Sequence, residues 1–364
     1  MRILIGLGAV VAVLLGYLTL WPVPIDPVAW EPPVDAGYTG VHATNQRLDA
    51  LERVSLPDLT GPEDLVQGPD GTLYATTHES TIVRRAPESG AFVPWVELEG
   101  RPLGLDWDTT GDRLVVADAY DGLVAVTRDG AVRVLADEAD GIPIRYADDV
   151  IAATDGRLYF SDASTKFGAE AWGGTYEASI VDVIEHGGHG RILVHDPATG
   201  RTTTIVDGLD FANGVALSDD ESLLYVAETG TYRVLAHHLS GPRKGETDVL
   251  IDNLPGFPDN LARGQDGRLW VGLISGRRAI VDQLAPSPFA RRIVQRLPRF
   301  LKPEANRYGH VIAVDATGRV VADLQDPSGA FARTTGALEV GDDLWITSLH
   351  EPDLGRVTNW RQRM

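Results

Sequence analysis

Six times along this chain a turn-forming stretch rich in Asp and Gly runs straight into Leu and then an aromatic residue or another aliphatic. The copies are Asp70-Gly71-Thr72-Leu73-Tyr74, Gly111-Asp112-Arg113-Leu114-Val115, Asp155-Gly156-Arg157-Leu158-Tyr159, Asp220-Glu221-Ser222-Leu223-Leu224-Tyr225, Asp266-Gly267-Arg268-Leu269-Trp270 and Asp342-Asp343-Leu344-Trp345. Each reads as a hairpin turn entering a strand, and recurrence at intervals of about 40 to 45 residues, twice stretched by insertions, is the pattern of a β-propeller. The repeat runs unbroken from near residue 60 to the C-terminus, which calls for one large all-β domain.

A second strand recurs downstream of each turn: Thr81 to Arg85, Gly122 to Val126, Gly190 to His195, Tyr232 to Ala236, Gly309 to Val314 and Gly355 to Val357. Further turns such as Arg128-Asp129-Gly130 and Asp315-Ala316-Thr317-Gly318 lead into outer strands. Six copies of both motifs predict an all-β, six-bladed β-propeller of four strands per blade, spanning residues 51–364. A propeller must hide its open edge, and Leu51 to Leu56 is the strand expected to close the ring against the C-terminal blade.

Composition narrows the partners. A formal charge of −20 with 52 acidic residues repels a phosphate backbone, so nucleic acid is excluded and small molecules and cations remain. The chain has no cysteine, which removes disulfides, thiolate nucleophiles and thiolate metal sites. Any metal must be held by oxygen or by the 9 histidines. Phosphate-cradling glycine loops followed by a helix are absent, as is a Gly-x-Ser-x-Gly nucleophile elbow.

From Ile3 to Trp21 there is no charged residue. The run is long enough for the roughly 20 helical residues that cross a hydrocarbon core. Residues 1–21 therefore read as a signal anchor with Arg2 and the α-amine on the cytoplasmic side, which puts the propeller on the extracytoplasmic (periplasmic or luminal) side. A cleaved signal peptide is the competing reading, but its apolar region is usually shorter, and no small-x-small site precedes Pro22, Pro24 and Pro27. Residues 22–50 are expected to form a stiff Pro-rich stalk.

Two stretches break the blade period. Lys166 to Gly190, rich in Gly, is expected to be a long loop, whereas Pro286 to Tyr308 carries Phe289, Ile293, Val294, Leu297 and Leu301 at helical spacing. The second stretch also holds Arg291, Arg292, Arg296, Arg299 and Lys302, a basic island that reads as a helix covering one end of the barrel or one lying on anionic lipid. Trp172 and Phe289 are expected to offer apolar contacts to a ligand.

Short polar clusters precede four of the turns: Glu63-Asp64, Asp148-Asp149, Asn213-Gly214 and Asp259-Asn260. Equivalent positions on the innermost strands of a propeller converge on the central channel. Glu63, Asp148, Asn213, Asp259 and Asn260 then present only carboxylate and amide oxygens, the donor set of a hard cation such as Ca2+. Carboxylates converging without a cation would repel, and at least one would hold a proton. The alternative is that these residues simply cap turns between blades.

The chain from about Leu51 onward resembles the strictosidine synthase-like and adipocyte plasma membrane-associated protein family, within the calcium propellers that include paraoxonases and SMP-30/gluconolactonase/regucalcin. Carrying the resemblance are Asn253-Leu254-Pro255-Gly256-Phe257-Pro258-Asp259-Asn260, Glu228 to Arg233, His238 to Gly245 and Arg101-Pro102-Leu103-Gly104. By similarity to paraoxonases, Glu63, Asp148, Asn213, Asp259 and Asn260 fall on a catalytic calcium, with Asp148 where Asn is usual; Asp64, Asp149 and the Leu105 carbonyl fall on a second, structural calcium. Two departures stand out. Phe331 to Leu338 contains no Glu where strictosidine synthase keeps its catalytic one, which argues against that activity, and Leu103 replaces the paraoxonase histidine.

The reading of function is a membrane-tethered, calcium-dependent hydrolase of small-molecule esters or lactones, with the metal polarising the substrate carbonyl. Asp148 and His350 are the candidate proton acceptors; His78 is a possible lining residue and His310 a packing residue. The alternative is a non-catalytic, calcium-stabilised propeller that binds a ligand or protein partner.

Overall fold

The computed structural model describes residues 2–302 and 305–363 and contains six four-stranded antiparallel blades around a central axis. Met1, at the start of the expected anchor, and residues 303–304, inside the expected basic island, lie outside the described residues. From the axis outward, blade 1 is Leu65–Gln67, Leu73–Thr76, Thr81–Arg85 and Val93–Glu97; blade 2 is Pro102–Asp108, Arg113–Asp118, Gly122–Thr127 and Val132–Ala136. Blade 3 is Ala147–Ala152, Leu158–Asp162, Gly190–Asp196 and Arg201–Leu209; blade 4 is Ala212–Leu217, Leu223–Glu228, Arg233–His238 and Thr247–Ile251. Blade 5 is Gly256–Arg263, Leu269–Gly276, Gly309–Val314 and Val320–Asp326. Blade 6 is Thr334–Val340, Asp343–Ser348 and Asp353–Val357, with Glu52–Ser55 as its outermost strand.

All six repeated turns join the first strand of a blade to the second. Glu52 pairs with Arg356 and Ser55 with Asp353, so the N-terminal strand closes the ring as expected. Hydrophobic side chains fill the space between blades: Tyr74 and Trp107 between blades 1 and 2, Phe160 and Leu193 with Val115 between 2 and 3, and Trp270 and Leu344 between 5 and 6. A further apolar cluster, with Ile25, Tyr146, Phe167, Ala178, Val181 and Phe211, lies on one end of the barrel.

That end is covered by the insertions. Helix α1 is Arg2–Leu20, α2 Thr175–Glu185, α3 Ala279–Leu284 and α4 Pro288–Arg296. Helix α2 corrects the expectation of a plain loop over Lys166 to Gly190: Ala178, Val181, Asp182 and Glu185 are buried on one helical face, and packing of that face outweighs the flanking glycines. Helix α4 starts on Ser287, whose Oγ accepts from the Ala290 amide at 3.3 Å, with Pro288 in the first turn.

The Pro-rich segment after α1 does not stand off as a stalk. Ile25 is buried in the end cluster, the Val28 amide donates to Glu185 O at 2.9 Å, and Trp30 stacks on His186 with ring centroids 4.0 Å apart. Arg277 donates to Pro33 O at 2.6 Å. Its apolar side chains find partners on the propeller, so the segment lies across it as a strap. Arg296 of α4 donates to Trp21 O at 2.6 Å and Leu18 O at 2.9 Å, closing the C-terminal end of α1. Ile5, Val13 and Leu20 of α1 are exposed. Among the described residues, no helix is long and apolar enough to cross a membrane.

Candidate metal centre and cavity

The innermost strands of blades 2 to 6 each break register where the axis residues sit. The shifts fall between Pro102 and Leu105, Ala147 and Val150, Ala212 and Val215, Pro258 and Leu261, and Thr334 and Ala337. A bulge frees two consecutive residues from the ladder and re-aims their side chains. The freed pairs are Leu103-Gly104, Asp148-Asp149, Asn213-Gly214, Asp259-Asn260 and Thr335-Gly336; Glu63-Asp64 stands in the matching place ahead of blade 1.

The two members of a pair do different things. Glu63, Leu103, Asp148, Asn213 and Asp259 line a cavity of about 190 Å³ at the covered end of the barrel. Second members alternate around the ring as Asp64, Gly104, Asp149, Gly214, Asn260 and Gly336. Asp64 accepts from the amides of Leu65 at 2.8 Å and Leu105 at 3.0 Å, tying blade 1 to blade 2. Asp149 does the same with Val150 and Val215, both at 2.7 Å, tying blade 3 to blade 4. Leu105 thus meets Asp64 through its amide. Asn260 Nδ2 donates to Glu63 O at 3.1 Å and Oε1 at 2.9 Å.

At the floor, carboxylate oxygens of Glu63, Asp148 and Asp259 lie within 4.8 Å of one another, all three residues buried. Glu63 Oε2, Asn213 Oδ1 and Asn260 Oδ1 are buried without a hydrogen-bond partner among the described residues. Among the described residues no donor reaches the Asp148 carboxylate. Burial, then repulsion by Asp259, pushes Glu63 and Asp148 well above the usual carboxylate range. Burial raises Asp259 to about 7 against the opposing hydrogen bond from Asn213. Three carboxylates and two orphaned amide oxygens, with neither sulfur nor imidazole among them, form the donor set of a hard divalent cation.

The walls come from elements the sequence reading did not assign. Tyr176, Ile180, Val183 and Ile184 of α2, Val281 and Leu284 of α3, Val294 of α4 and Trp30 of the strap enclose the cavity. Their signal was present: Tyr176, Ile180, Val183 and Ile184 follow the i, i+4, i+7, i+8 pattern of one helix face. Trp172 instead packs edge-on against Phe167, and Phe289 points outward at 56% exposure, so neither lines the cavity. Arg101 is buried near the floor, donating to Thr77 O at 2.8 Å and Pro102 O at 3.0 Å while Nε and Nη2 have no partner among the described residues. Its charge favours ionised Asp148.

Of the histidines, His350 is exposed and meets Tyr176 edge-on at 6.1 Å. Its side chain is exposed, yet desolvation of the ring, with Arg333, His78 and Arg101 nearby, holds it below the usual imidazole range. His78 lies outside the cavity wall. His310 is buried on blade 5, where its Nε2 lies 3.0 Å and His42 Nδ1 2.8 Å from Asp323 Oδ2, a clasp holding the N-terminal segment.

Residues 78–286 match the SMP-30/gluconolactonase/LRE-like region, and residues 40–85 the N-terminal part of strictosidine synthase-like proteins. Strictosidine synthase-like protein 6 of Arabidopsis thaliana is 31% identical over 313 residues, 84% of this chain and 81% of the relative. The adipocyte plasma membrane-associated protein of Rattus norvegicus is 30% identical over 373 residues, 95% of this chain and 96% of the relative. A gluconolactonase of Xanthomonas campestris superposes with a TM-score of 0.62 at 19% identity, covering 93% of this chain and 98% of the other. A calcium-binding protein, regucalcin, of Agrobacterium tumefaciens superposes with a TM-score of 0.59 at 17% identity, covering 84% and 93%. At such identities these structures establish the fold, while the sequence matches establish kinship: the chain belongs to the SMP-30/gluconolactonase family, in its strictosidine synthase-like branch.

Proposed function

We propose that this protein is a calcium-dependent hydrolase of esters or lactones, held at a membrane by its N-terminal segment. The observation that carries the reading is the buried floor, where Glu63, Asp148 and Asp259 meet with the orphaned oxygens of Asn213 and Asn260 at the base of a mostly apolar cavity. These residues would hold Ca2+, which when bound supplies a Lewis acid for the substrate carbonyl. Asn260 orients Glu63, donating to both its backbone and its side-chain oxygen, so one floor residue is braced by another.

The chain's residues supply the rest. Phe211, Phe257, Ile180 and Leu103 bury the acyl or ring portion and exclude bulk water. Asp148, with no donor on its carboxylate among the described residues, takes the proton of the attacking water as the water oxygen bonds to the carbonyl carbon and the carbonyl π pair moves onto its oxygen; the acyl C–O bond then breaks, and the leaving oxygen takes that proton back from Asp148. His350 stands off the cavity wall and is held neutral, so it serves as a proton relay only through Tyr176 or solvent. The membrane location is supported by the exposed apolar side chains of α1 and by kinship with a plasma membrane-associated protein.

One observation favours a second reading. Leu103 on the cavity wall leaves the floor without a histidine, as suits a calcium-stabilised propeller that only binds its ligand. Turnover of aryl acetates and simple lactones, before and after chelation and calcium restoration, separates the two. Activity lost and regained with calcium, at unchanged circular dichroism, supports the hydrolase; inactivity on the whole panel, with calcium merely raising Tm, supports the binding propeller.

A further inference from the structure

Four cationic side chains line the cavity of a protein whose formal charge is −20: Arg278, Arg291, Lys302 and Arg333. Arg291 is consumed by structure, donating to the carbonyls of Val28, Ile184, Glu185 and Ala285. The other three are not. Arg278 donates to the neutral side chain of Asn306 and Lys302 to Gln295 Oε1 at 3.2 Å, while the Arg333 guanidinium lies 5.7 Å from the centre of the Tyr176 ring. Among the described residues none of the three has a carboxylate partner, whereas neighbouring arginines do: Arg277 with Asp282, Arg307 with Glu351.

Arg333 carries two further marks. Among the described residues its Nε is buried without a hydrogen-bond partner, and its backbone sits at φ +55, a conformation costly for a side chain of this size. The strain is held by the Leu349 amide, which donates to Arg333 O at 3.1 Å. Desolvated donors left unpaired are expensive unless a ligand completes them.

Charge is therefore separated along the cavity. Glu63, Asp148 and Asp259 form the buried floor, while Arg278, Lys302 and Arg333 are partly exposed on the wall. With a divalent cation bound and Arg101 beside Asp148, the three carboxylates of the floor are balanced, so the uncompensated positive charge of the cavity lies on the wall, where an anionic group is drawn.

We propose that the preferred substrate is an anionic amphiphile: an ester or lactone whose carbonyl reaches the floor, whose apolar body fills the cavity, and whose distal oxyanion pairs with Arg333, Arg278 and Lys302. This rests on the hydrolase reading for its reactive group, but the anion preference stands on the wall itself and is measurable as binding.

The test uses the full chain with calcium and two esters of equal chain length, 4-nitrophenyl hexanoate and the mono-4-nitrophenyl ester of adipic acid. The wild type favours the anionic ester in kcat/KM, and Arg333→Gln and Lys302→Gln each shrink that preference about tenfold through KM, the scale of one charge-assisted hydrogen bond. A preference for the neutral ester, or one that survives both substitutions, overturns the proposal. In parallel, calorimetric titration compares hexanoate with 1-hexanol. Should neither ester turn over, the hydrolase reading fails while hexanoate selectivity lost in Arg333→Gln still upholds the anion site; equal binding of both probes overturns it.

Discussion

Asp149 occupies the space that a side chain at Gly104 would take: a Cβ built there would lie 2.6 Å from Asp149 Cα. The pair is one instance of the alternation of polar and glycine second members, Asp64, Gly104, Asp149, Gly214, Asn260 and Gly336. Glycine lets the next blade approach, and the polar side chain beside it ties backbone across the gap. Gly104→Ala is expected to force the strands apart and cost about 1–3 kcal/mol, the range for overpacking. Urea midpoints at unchanged m would register it; a midpoint equal to wild type would mean the axis is looser than described.

Removing single floor oxygens should separate activity from folding. Asn213→Ala and Asp259→Ala are expected to lower esterase activity about 10- to 100-fold through weaker calcium binding, while far-ultraviolet circular dichroism stays that of the wild type. Full activity in both folded variants would exclude the calcium mechanism.

The floor also predicts a pH signature. Glu63, Asp148 and Asp259 bind protons more tightly folded than unfolded, where carboxyl groups titrate near about 4. Between that value and the raised folded values, about 7 for Asp259, the native state holds more protons, so stability falls as pH rises through this window. Chelated protein should melt at a lower temperature at pH 8 than at pH 5, and calcium should erase most of the difference while releasing protons. A chelated protein with Tm independent of pH across this range would refute the mutual repulsion.

The strap has its own test. Arg277, buried against Tyr232 at 4.1 Å from its ring centre, bonds Asp282 at 2.9 Å and Pro33 O at 2.6 Å. Arg277→Ala leaves the Asp282 carboxylate without its cation, held only by the Tyr232 hydroxyl at 2.9 Å, and is expected to cost about 3 kcal/mol. It should also expose the segment around Pro33 to limited proteolysis; a strap as resistant as in the wild type would show that Trp30 and Ile25 hold it unaided.

Ring closure can be broken at will. A chain starting after Ser55 lacks the strand that pairs with Asp353–Val357 and leaves that edge open. It is expected to aggregate where a chain starting at Pro22, which keeps the strap, stays monodisperse, as gel filtration would report.

Local rules wrote most of the propeller into the sequence. Each turn such as Asp155-Gly156 announces its own hairpin, because a left-handed glycine at φ +87 is a requirement met within four residues. Repetition converted six such local facts into a ring, and registration of Glu63, Asp148, Asn213 and Asp259 against those turns placed the floor residues at the axis. What the tertiary structure alone decided depends on contacts distant along the chain. Trp30 finds His186, and the strap is held down rather than standing free, because its apolar side chains meet surfaces made by α2 and blade 5, more than 150 residues away. Helix α2 forms between glycine-rich flanks because the barrel end offers its apolar face a partner. Among the described residues Arg333 stands on the cavity wall without a carboxylate because of where the last blade meets the first, and no short-range pattern encodes that meeting.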